Sequence, residues 1–289
     1  MTTVTNRERI EAVLDYDTFQ RALLIVEKQP WLASKNERFN ELLSFCSQPE
    51  EQNLVLDIVE RYTYISGLEL TRSLEQIAAK ITNDWKCSPH DSVVVAMDRG
   101  RHADSSAAIA WFLKPILGDL ADWETNQFYK ALGEAASEVA DGGNIVIVDE
   151  FVGTGQTLSG ALVWLADKLK SHKKTATLYV ATVAAMEIAK LKDLSLTKDF
   201  FATIWLKKSI QDHYPPERIM PLESLMLGME DRLLKKDGYM KLSKYSLGYK
   251  KSQAAYFFEN GNPPNNNFPI FWWKRLADGS RRRPLTPRV

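Results

Sequence analysis

The chain has 289 residues, 45% of them hydrophobic, and its 37 Lys and Arg balance 37 Asp and Glu. These values indicate a globular protein of one or two domains and exclude a global field that would draw the chain to nucleic acid or membranes. The sequence shows no apolar signal segment at its start and no uncharged run of membrane-spanning length, so we expect a cytoplasmic location. Two cysteines cannot build a disulfide framework.

Residues 1–88 are predicted to form a helical block. Apolar residues recur at helical spacing in four stretches, 6–28, 37–45, 50–64 and 69–85. Pro30 ends the first of these patterns. No chemical motif occurs in this block. Its role is therefore open between two alternatives: it forms part of a ligand site, or it binds a partner.

A buried strand and a basic turn follow. The apolar run 92–97 predicts the strand, and a helix from about Ala107 is expected to end before Pro115. The turn between them begins with Asp98, Arg99, Gly100 and Arg101. Two guanidinium groups at this place suit a dianionic ligand, with a charged surface turn as the alternative.

The most informative stretch is 144–160. Its β-branched run 145–148 is typical of a central strand that is covered on both faces. Asp149 and Glu150 follow, at the strand end where ligands of open α/β sheets bind. A helix is expected to begin near Leu158. The loop before it consists of small, amide and hydroxyl residues: Gly153, Thr154, Gly155, Gln156 and Thr157.

This loop is predicted to bind phosphate, because free backbone N–H groups at a helix N-terminus attract anions. No Lys lies between Gly153 and Leu158, which excludes the nucleoside triphosphate loop, and no Gly-x-Gly-x-x-Gly is present to hold a dinucleotide. Two adjacent carboxylates beside a phosphate loop suit a sugar phosphate, since they accept hydrogen bonds from ring hydroxyls and help to hold a divalent cation.

Two more apolar runs, 176–183 and 200–206, predict further strands. Strands that alternate with helices at this spacing imply right-handed parallel crossovers. The predicted fold class is therefore α/β, with a Rossmann-like parallel sheet over residues 89–210. The helical block precedes this core, and residues 211–289 form a C-terminal extension.

The C-terminal extension ends in aromatic and basic residues. Asn and Pro between 262 and 269 indicate a loop, whereas Phe271, Trp272 and Trp273 are too apolar for a free tail. We expect these rings to pack on the core or on a partner. The alternative is that they stack on bases while 281–283, three arginines, bind phosphates.

The order of apolar strand, acid pair, two apolar residues and Thr/Gly loop resembles the phosphoribosyl pyrophosphate motif of the type I phosphoribosyltransferases. The resemblance implies that Asp149 and Glu150 are the catalytic acids, which hold the ribose 2- and 3-hydroxyls and, through them, Mg²⁺. It implies that 153–157 grips the 5-phosphate, that 98–101 binds pyrophosphate, and that a mobile loop closes over the site, with Lys130 as its nearest candidate lysine.

The chain departs from the motif of that family at two positions. Most members carry Asp-Asp or Glu-Asp where this chain has Asp149 and Glu150. Purine-salvage members have a base-contacting acid at the position of Gly153. The second difference argues against hypoxanthine or guanine as the base.

The ending Asn-Asn-x-Phe-Pro-Ile-Phe-Trp-Trp, with Pro-Leu-x-Pro-Arg, resembles the phosphoribosyltransferase-like (PRTase-CE type) effectors of bacterial conflict systems, some of them retron-associated. This implies a pentosyltransferase or nucleotide-consuming effector in anti-phage defence. The alternative is a module that senses a nucleotide without turnover. The implied partners are phosphoribosyl pyrophosphate or a nucleotide, and a defence protein or a reverse transcriptase with its RNA and DNA. No membrane is implied, and a homo-oligomer is left open.

Overall fold

The computed structural model describes residues 16–98 and 105–288. The helices are, in chain order, α1 (Tyr16–Lys28), α2 (Asn36–Phe45), α3 (Pro49–Glu60), α4 (Gly67–Ala79), α5 (Ser105–Ala121), α6 (Leu132–Glu138), α7 (Gln156–Ser171) and α8 (Pro216–Asp231). The strands are β1 (Thr63–Ile65), β2 (Ser92–Ala96), β3 (Phe128–Tyr129), β4 (Gly143–Val152), β5 (Ala176–Met186), β6 (Asp199–Leu206), β7 (Lys236–Asp237), β8 (Met240–Lys241) and β9 (Tyr256–Phe258). None of the described helices is long and apolar enough to cross a membrane.

The chain forms two compact units that do not follow chain order. The helical unit combines Met1–Tyr64, Ser209–Phe257 and Asn267–Val289. The sheet unit combines Ile65–Lys208 with the short segment Phe258–Asn266. The sequence predicts three consecutive regions, 1–88, 89–210 and 211–289. In the structure, each compact unit combines segments that are distant in sequence.

The sheet unit is built on five strands in the order β3-β2-β4-β5-β6. All of the pairings between neighbouring strands are parallel. β4 lies in the middle, with Val93 of β2 and Leu178 of β5 both in register with Ile145. The predicted α/β class with a parallel, Rossmann-like sheet is therefore confirmed.

Helices cover both faces of this sheet. On one face, α6 and α7 bury residues such as Leu132 and Leu165 against Ile145 and Ile147 of β4. On the other face, α4 and α5 pack against the central strands. Because side chains alternate along a strand, the unbroken apolar run of β4 supplies both cores. This packing holds β4 between two layers of helices.

Helix α5 is longer than the sequence pattern indicated. We expected it to end before Pro115, but it continues to Ala121 with Pro115 inside it. The proline is exposed, while Leu113 and Leu117 on either side are fully buried. The carbonyl that loses its hydrogen-bond donor belongs to Trp111, which is itself exposed, so water can replace the lost bond. Burial of the apolar face therefore outweighs the local cost of the proline.

The helical unit is centred on aromatic residues of the C-terminal extension. Phe271, Trp272 and Trp273 are each at most 1% exposed, which confirms the prediction that they pack in a core. The indole of Trp272 donates to the Asn267 carbonyl at 3.1 Å, and the Asn267 side chain donates to the Tyr62 hydroxyl at 3.1 Å. These buried rings are not available to stack on bases, so that alternative is wrong for them.

Candidate functional site

The two acids belong to the last four residues of the central strand. The sequence pattern predicted a strand that ends in the two acids, and β4 continues two residues past them to Val152. Its ladder to β5 pairs Asp149 with Thr182 and Val152 with Ala185. The long apolar strand β5 thus extends the pairing past the point where the polarity of β4 changes. As a result, both carboxylates are held by a hydrogen-bonded sheet rather than by a loop.

Both acids are buried in the sheet unit. Asp149 is 7% exposed and Glu150 is 4% exposed, and the Glu150 N–H donates to Asp149 Oδ1 at 2.8 Å. Thr182, the register partner of Asp149, is fully buried, and its hydroxyl has no hydrogen-bond partner within the described part of the chain. A buried hydroxyl without a hydrogen-bond partner is costly. Its position opposite Asp149 is what a polar ligand site requires.

The loop after the strand turns sharply into α7. Gly155 is in the left-handed conformation, with φ of +73°, and α7 begins at the next residue, Gln156. The helix thus starts two residues earlier than expected. A Cβ on Gly155 would lie 3.1 Å from Lys192 Cγ and 3.3 Å from the Ala189 carbonyl. The loop is curled, as a cradle of backbone amides at a helix N-terminus must be.

The first loop residue is contacted by the C-terminal extension. A Cβ on Gly153 would lie 2.3 Å from Asn266 Nδ2 and 2.4 Å from both Cγ and Oδ1 of the same side chain. Asn266 is 8% exposed and belongs to the sheet unit. Sequence reasoning missed this contact, because the Asn- and Pro-rich segment carries only a loop signal. No local pattern relates Asn266 to a glycine more than a hundred residues earlier.

The predicted pyrophosphate loop is only partly described. Its first residue, Asp98, follows β2; its N–H donates to the Ala96 carbonyl at 2.7 Å, and its carbonyl accepts the Leu132 N–H at 2.9 Å. These bonds hold the start of the loop beside the start of α6. The other predicted residues, Arg99, Gly100 and Arg101, lie outside the described residues. Their role stays a prediction.

Lys130 precedes α6 on the surface of the sheet unit. Its side chain is 80% exposed, and its ammonium group is 4.0 Å from the Glu134 carboxylate. The segment around it forms, in chain order, a short 3-10 turn (Thr125–Gln127), β3 and α6. The predicted role of Lys130 in a closing loop is therefore not supported by any contact with the acids.

These features define a class of protein. A five-stranded parallel sheet carries two buried acids at the end of its central strand, and a glycine loop leads from them into a helix. This is the arrangement of a phosphoribosyltransferase-like α/β protein. The family model described as PRTase-CE matches residues 40–288, and the chain belongs to this family. A comparison with curated proteins gives no significant match.

The chain is similar to several solved structures over about half of its length. A hypothetical protein from Neisseria gonorrhoeae with bound ppGpp is 18% identical, with a TM-score of 0.36 over 50% of this chain and 85% of that chain. HGPRT-ase from Leishmania tarentolae in complex with GMP is 14% identical, with a TM-score of 0.36 over 50% and 82%. The Helicobacter pylori xanthine-guanine-hypoxanthine phosphoribosyltransferase is 19% identical, with a TM-score of 0.33 over 52% and 93%.

Proposed function

We propose that the protein binds phosphoribosyl pyrophosphate, or a nucleotide with a ribose 5-phosphate, and acts at the ribose C1 as a pentosyltransferase or nucleotide-consuming enzyme. The observation that carries the proposal is the succession of two buried carboxylates and a curled glycine loop at the end of the central strand. The loop amides suit the phosphate, and the carboxylates suit the ribose hydroxyls.

The reaction needs positioning and charge stabilisation rather than a protein nucleophile. The bond between C1 and its leaving group breaks, a bond from C1 to a base nitrogen or to water forms, and the proton of the attacking group passes to solvent. Asp149 and Glu150 would orient the sugar, and 153–157 would anchor its phosphate. The turn that begins at Asp98 would receive the departing anion, with Arg99 and Arg101 as the charged groups.

Magnesium is part of the proposal. Mg²⁺ is commonly held by one or two carboxylates together with oxygens of the ligand and water. Asp149 and Glu150 fit such a set, since they are adjacent, buried and at the strand end. They would hold the ion indirectly, through the ribose hydroxyls. When bound, Mg²⁺ would neutralise negative charge on the leaving group.

The biological setting that we propose is anti-phage defence in the bacterial cytoplasm, where depletion of a nucleotide pool would stop phage replication. Membership of the PRTase-CE family supports this setting. A defence-system protein, or a reverse transcriptase with its RNA and DNA as in retrons, is the proposed partner. Metabolite profiling of infected cells that express the protein tests the proposal. We expect a loss of one nucleotide or of phosphoribosyl pyrophosphate that inactive variants do not produce.

A second candidate function is nucleotide sensing without turnover. It is favoured by the ordered structure of Thr125–Gln127 and α6, where a closing loop was expected, and by the exposure of Lys130. A reaction at C1 needs exclusion of water, which a closing loop provides. Tight binding of phosphoribosyl pyrophosphate with Mg²⁺, but no consumption of it with any base or nucleotide, would establish the sensing function instead.

The site assignment is tested with Asp149→Asn combined with Glu150→Gln. We expect calorimetry to show at least about a tenfold loss of affinity for phosphoribosyl pyrophosphate with Mg²⁺, because hydrogen bonds to a neutral carboxamide are weaker than those to a charged carboxylate. The matched control is Asp119→Asn with Glu75→Gln, two exposed residues of the same unit. Unchanged affinity in the double variant, with a normal circular dichroism spectrum, would reject the proposed site.

A further inference from the structure

Asn266 lies directly on the first residue of the proposed phosphate loop. Its Nδ2, Cγ and Oδ1 atoms all lie within 2.4 Å of the place where a Cβ of Gly153 would be. Real Cβ atoms do not approach other atoms this closely, so the carboxamide occupies the volume that any side chain at position 153 would need. Gly153 and the Asn266 side chain are therefore sterically coupled.

The segment that presents Asn266 is anchored at its other end. The Glu259 N–H donates to the Ile65 carbonyl at 2.8 Å, and Glu259 Oε2 accepts the Gly67 N–H at 2.8 Å. Gly67 is the first residue of α4, where free N–H groups favour a carboxylate. A turn follows, in which the Gly261 N–H donates to the Phe258 carbonyl at 2.9 Å. The segment is thus built into the sheet unit.

The opposite side of the loop is also in contact with protein. Lys192 Cγ and the Ala189 carbonyl would lie 3.1 Å and 3.3 Å from a Cβ on Gly155. The loop is therefore confined at Gly155 by the turn after β5 and at Gly153 by Asn266. A phosphate site depends on amides that are already in place before the ligand arrives, so this confinement has a functional consequence.

We propose that Asn266 is a positioning residue for the phosphate loop, and that 258–266 is part of the ligand site. The inference deepens the proposed function and depends on it. The carboxamide holds Gly153 in the conformation that directs the loop amides at the 5-phosphate. It does so without adding charge, because a carboxamide is neutral at all physiological pH values.

The test is a double-mutant cycle read by calorimetry with phosphoribosyl pyrophosphate and Mg²⁺. Asn266→Ala frees the loop, and Gly153→Ala forces the loop and the carboxamide apart. We expect each to lower the affinity about tenfold to a hundredfold, the range that small misplacements cost. In the double variant the methyl group at 153 takes the space left at 266, so we expect an affinity higher than that of Gly153→Ala alone.

The readout separates positioning from general stability. Ribose 5-phosphate and ribose are compared as probes, because a positioning role lowers the affinity for the phosphorylated sugar and leaves the affinity for ribose unchanged. Asn83→Ala, an exposed asparagine of the same unit outside the ligand site, and Gly228→Ala, where a Cβ meets no atom within 4 Å, are the controls. Urea unfolding of each variant shows that the folded fraction is the same.

Two results would overturn the inference, and they differ from each other. If the wild type binds neither phosphoribosyl pyrophosphate nor ribose 5-phosphate, the proposed function fails together with the inference. If the wild type binds and Asn266→Ala binds equally well, or if the two substitutions lower the affinity independently, only the positioning role of Asn266 fails. If Gly153→Ala does not fold, the comparison of Asn266→Ala with the wild type still decides the positioning role.

Discussion

At the residue scale, the site contains two positions, 153 and 155, that require glycine for different physical reasons. Gly153 has no room for a side chain because Asn266 occupies the space. Gly155 has a positive φ and two close neighbours. The small residues of the loop were recognised in the sequence as a phosphate motif. The atoms that a side chain at 153 or 155 would clash with could not be predicted, because they belong to residues distant in sequence.

Gly155→Ala tests the second of these reasons. The substitution places an alanine in the left-handed conformation, which costs about 1–2 kcal/mol, and brings a Cβ close to Ala189 and Lys192. Gly142→Ala is the matched control, since Gly142 also has a positive φ, of +79°, but open space around it. We expect urea unfolding to show the larger loss of stability for Gly155→Ala.

The two variants should differ in binding as well. Calorimetry with phosphoribosyl pyrophosphate and Mg²⁺ should show reduced affinity for Gly155→Ala only, because Gly142 directly precedes β4 and lies at the end of this strand that is opposite to the loop. Equal losses of stability and no loss of affinity would mean that the loop tolerates a Cβ at 155.

At the scale of elements, β4 shows how far the sequence pattern leads. Its β-branched run correctly indicated a central strand, because only a strand covered on both faces needs apolar residues at successive positions. The predicted end of the strand at the acids is two residues short, because the pairing with the neighbouring strand β5 continues to Val152. The same limitation applies to α5, where burial of Leu113 and Leu117 carries the helix through Pro115.

Helix α8 carries a buried acid that makes the helical unit sensitive to pH. Glu230 is 2% exposed and accepts the Leu247 N–H at 3.0 Å. Burial raises the pKa of Glu230 from its ordinary value of 4.5 to about 8, although the bond from Leu247 opposes the shift. Between these two values the folded protein keeps a proton that the unfolded chain releases. The free energy of unfolding therefore falls as the pH rises from about 5 to 8.

Glu230→Gln should remove this contribution. The amide keeps an oxygen acceptor for Leu247 and cannot ionise, so the variant should lose less stability than the wild type between pH 5 and 8. The difference in slope approaches about 1.4 kcal/mol per pH unit for one group. Urea unfolding at several pH values measures it, with Glu217→Gln, an exposed glutamate of the same helix, as the control. Parallel profiles for wild type and Glu230→Gln would contradict the assignment.

At the scale of the whole molecule, the sheet unit is discontinuous in sequence. Ile65–Lys208 supplies the sheet and the acids, and 258–266 completes the unit. Parallel alternation of strands and helices made the sheet predictable, because each step is local and the crossover has a fixed hand. The return of a distant loop to Gly153 is not local, and the Asn and Pro residues that form it are typical of any exposed connection.

Glu259→Ala tests whether this return matters to the ligand. The variant loses the acceptor for the Gly67 N–H, so it should be less stable by about 1 kcal/mol, as for other helix-start contacts. It should also bind phosphoribosyl pyrophosphate with Mg²⁺ more weakly, because the segment that ends at Asn266 is released. Glu259→Gln keeps an acceptor oxygen. Its stability and its affinity should therefore both lie between those of Glu259→Ala and the wild type.

Calorimetry measures the affinity of both variants, and thermal unfolding measures their stability. The control is Glu75→Ala, a substitution of an exposed residue. A loss of stability in Glu259→Ala with wild-type affinity would show that the anchor serves the fold alone.

The late position of 258–266 in the chain has a consequence for biosynthesis. A ribosome that has translated the strand with the acids and the loop at Gly153 has more than a hundred codons left before Asn266 is made. If Asn266 positions the loop, a nascent chain holds an incompetent pocket throughout that interval. If the protein consumes nucleotides, as we propose, it would in this way stay inactive while its own messenger RNA is being translated.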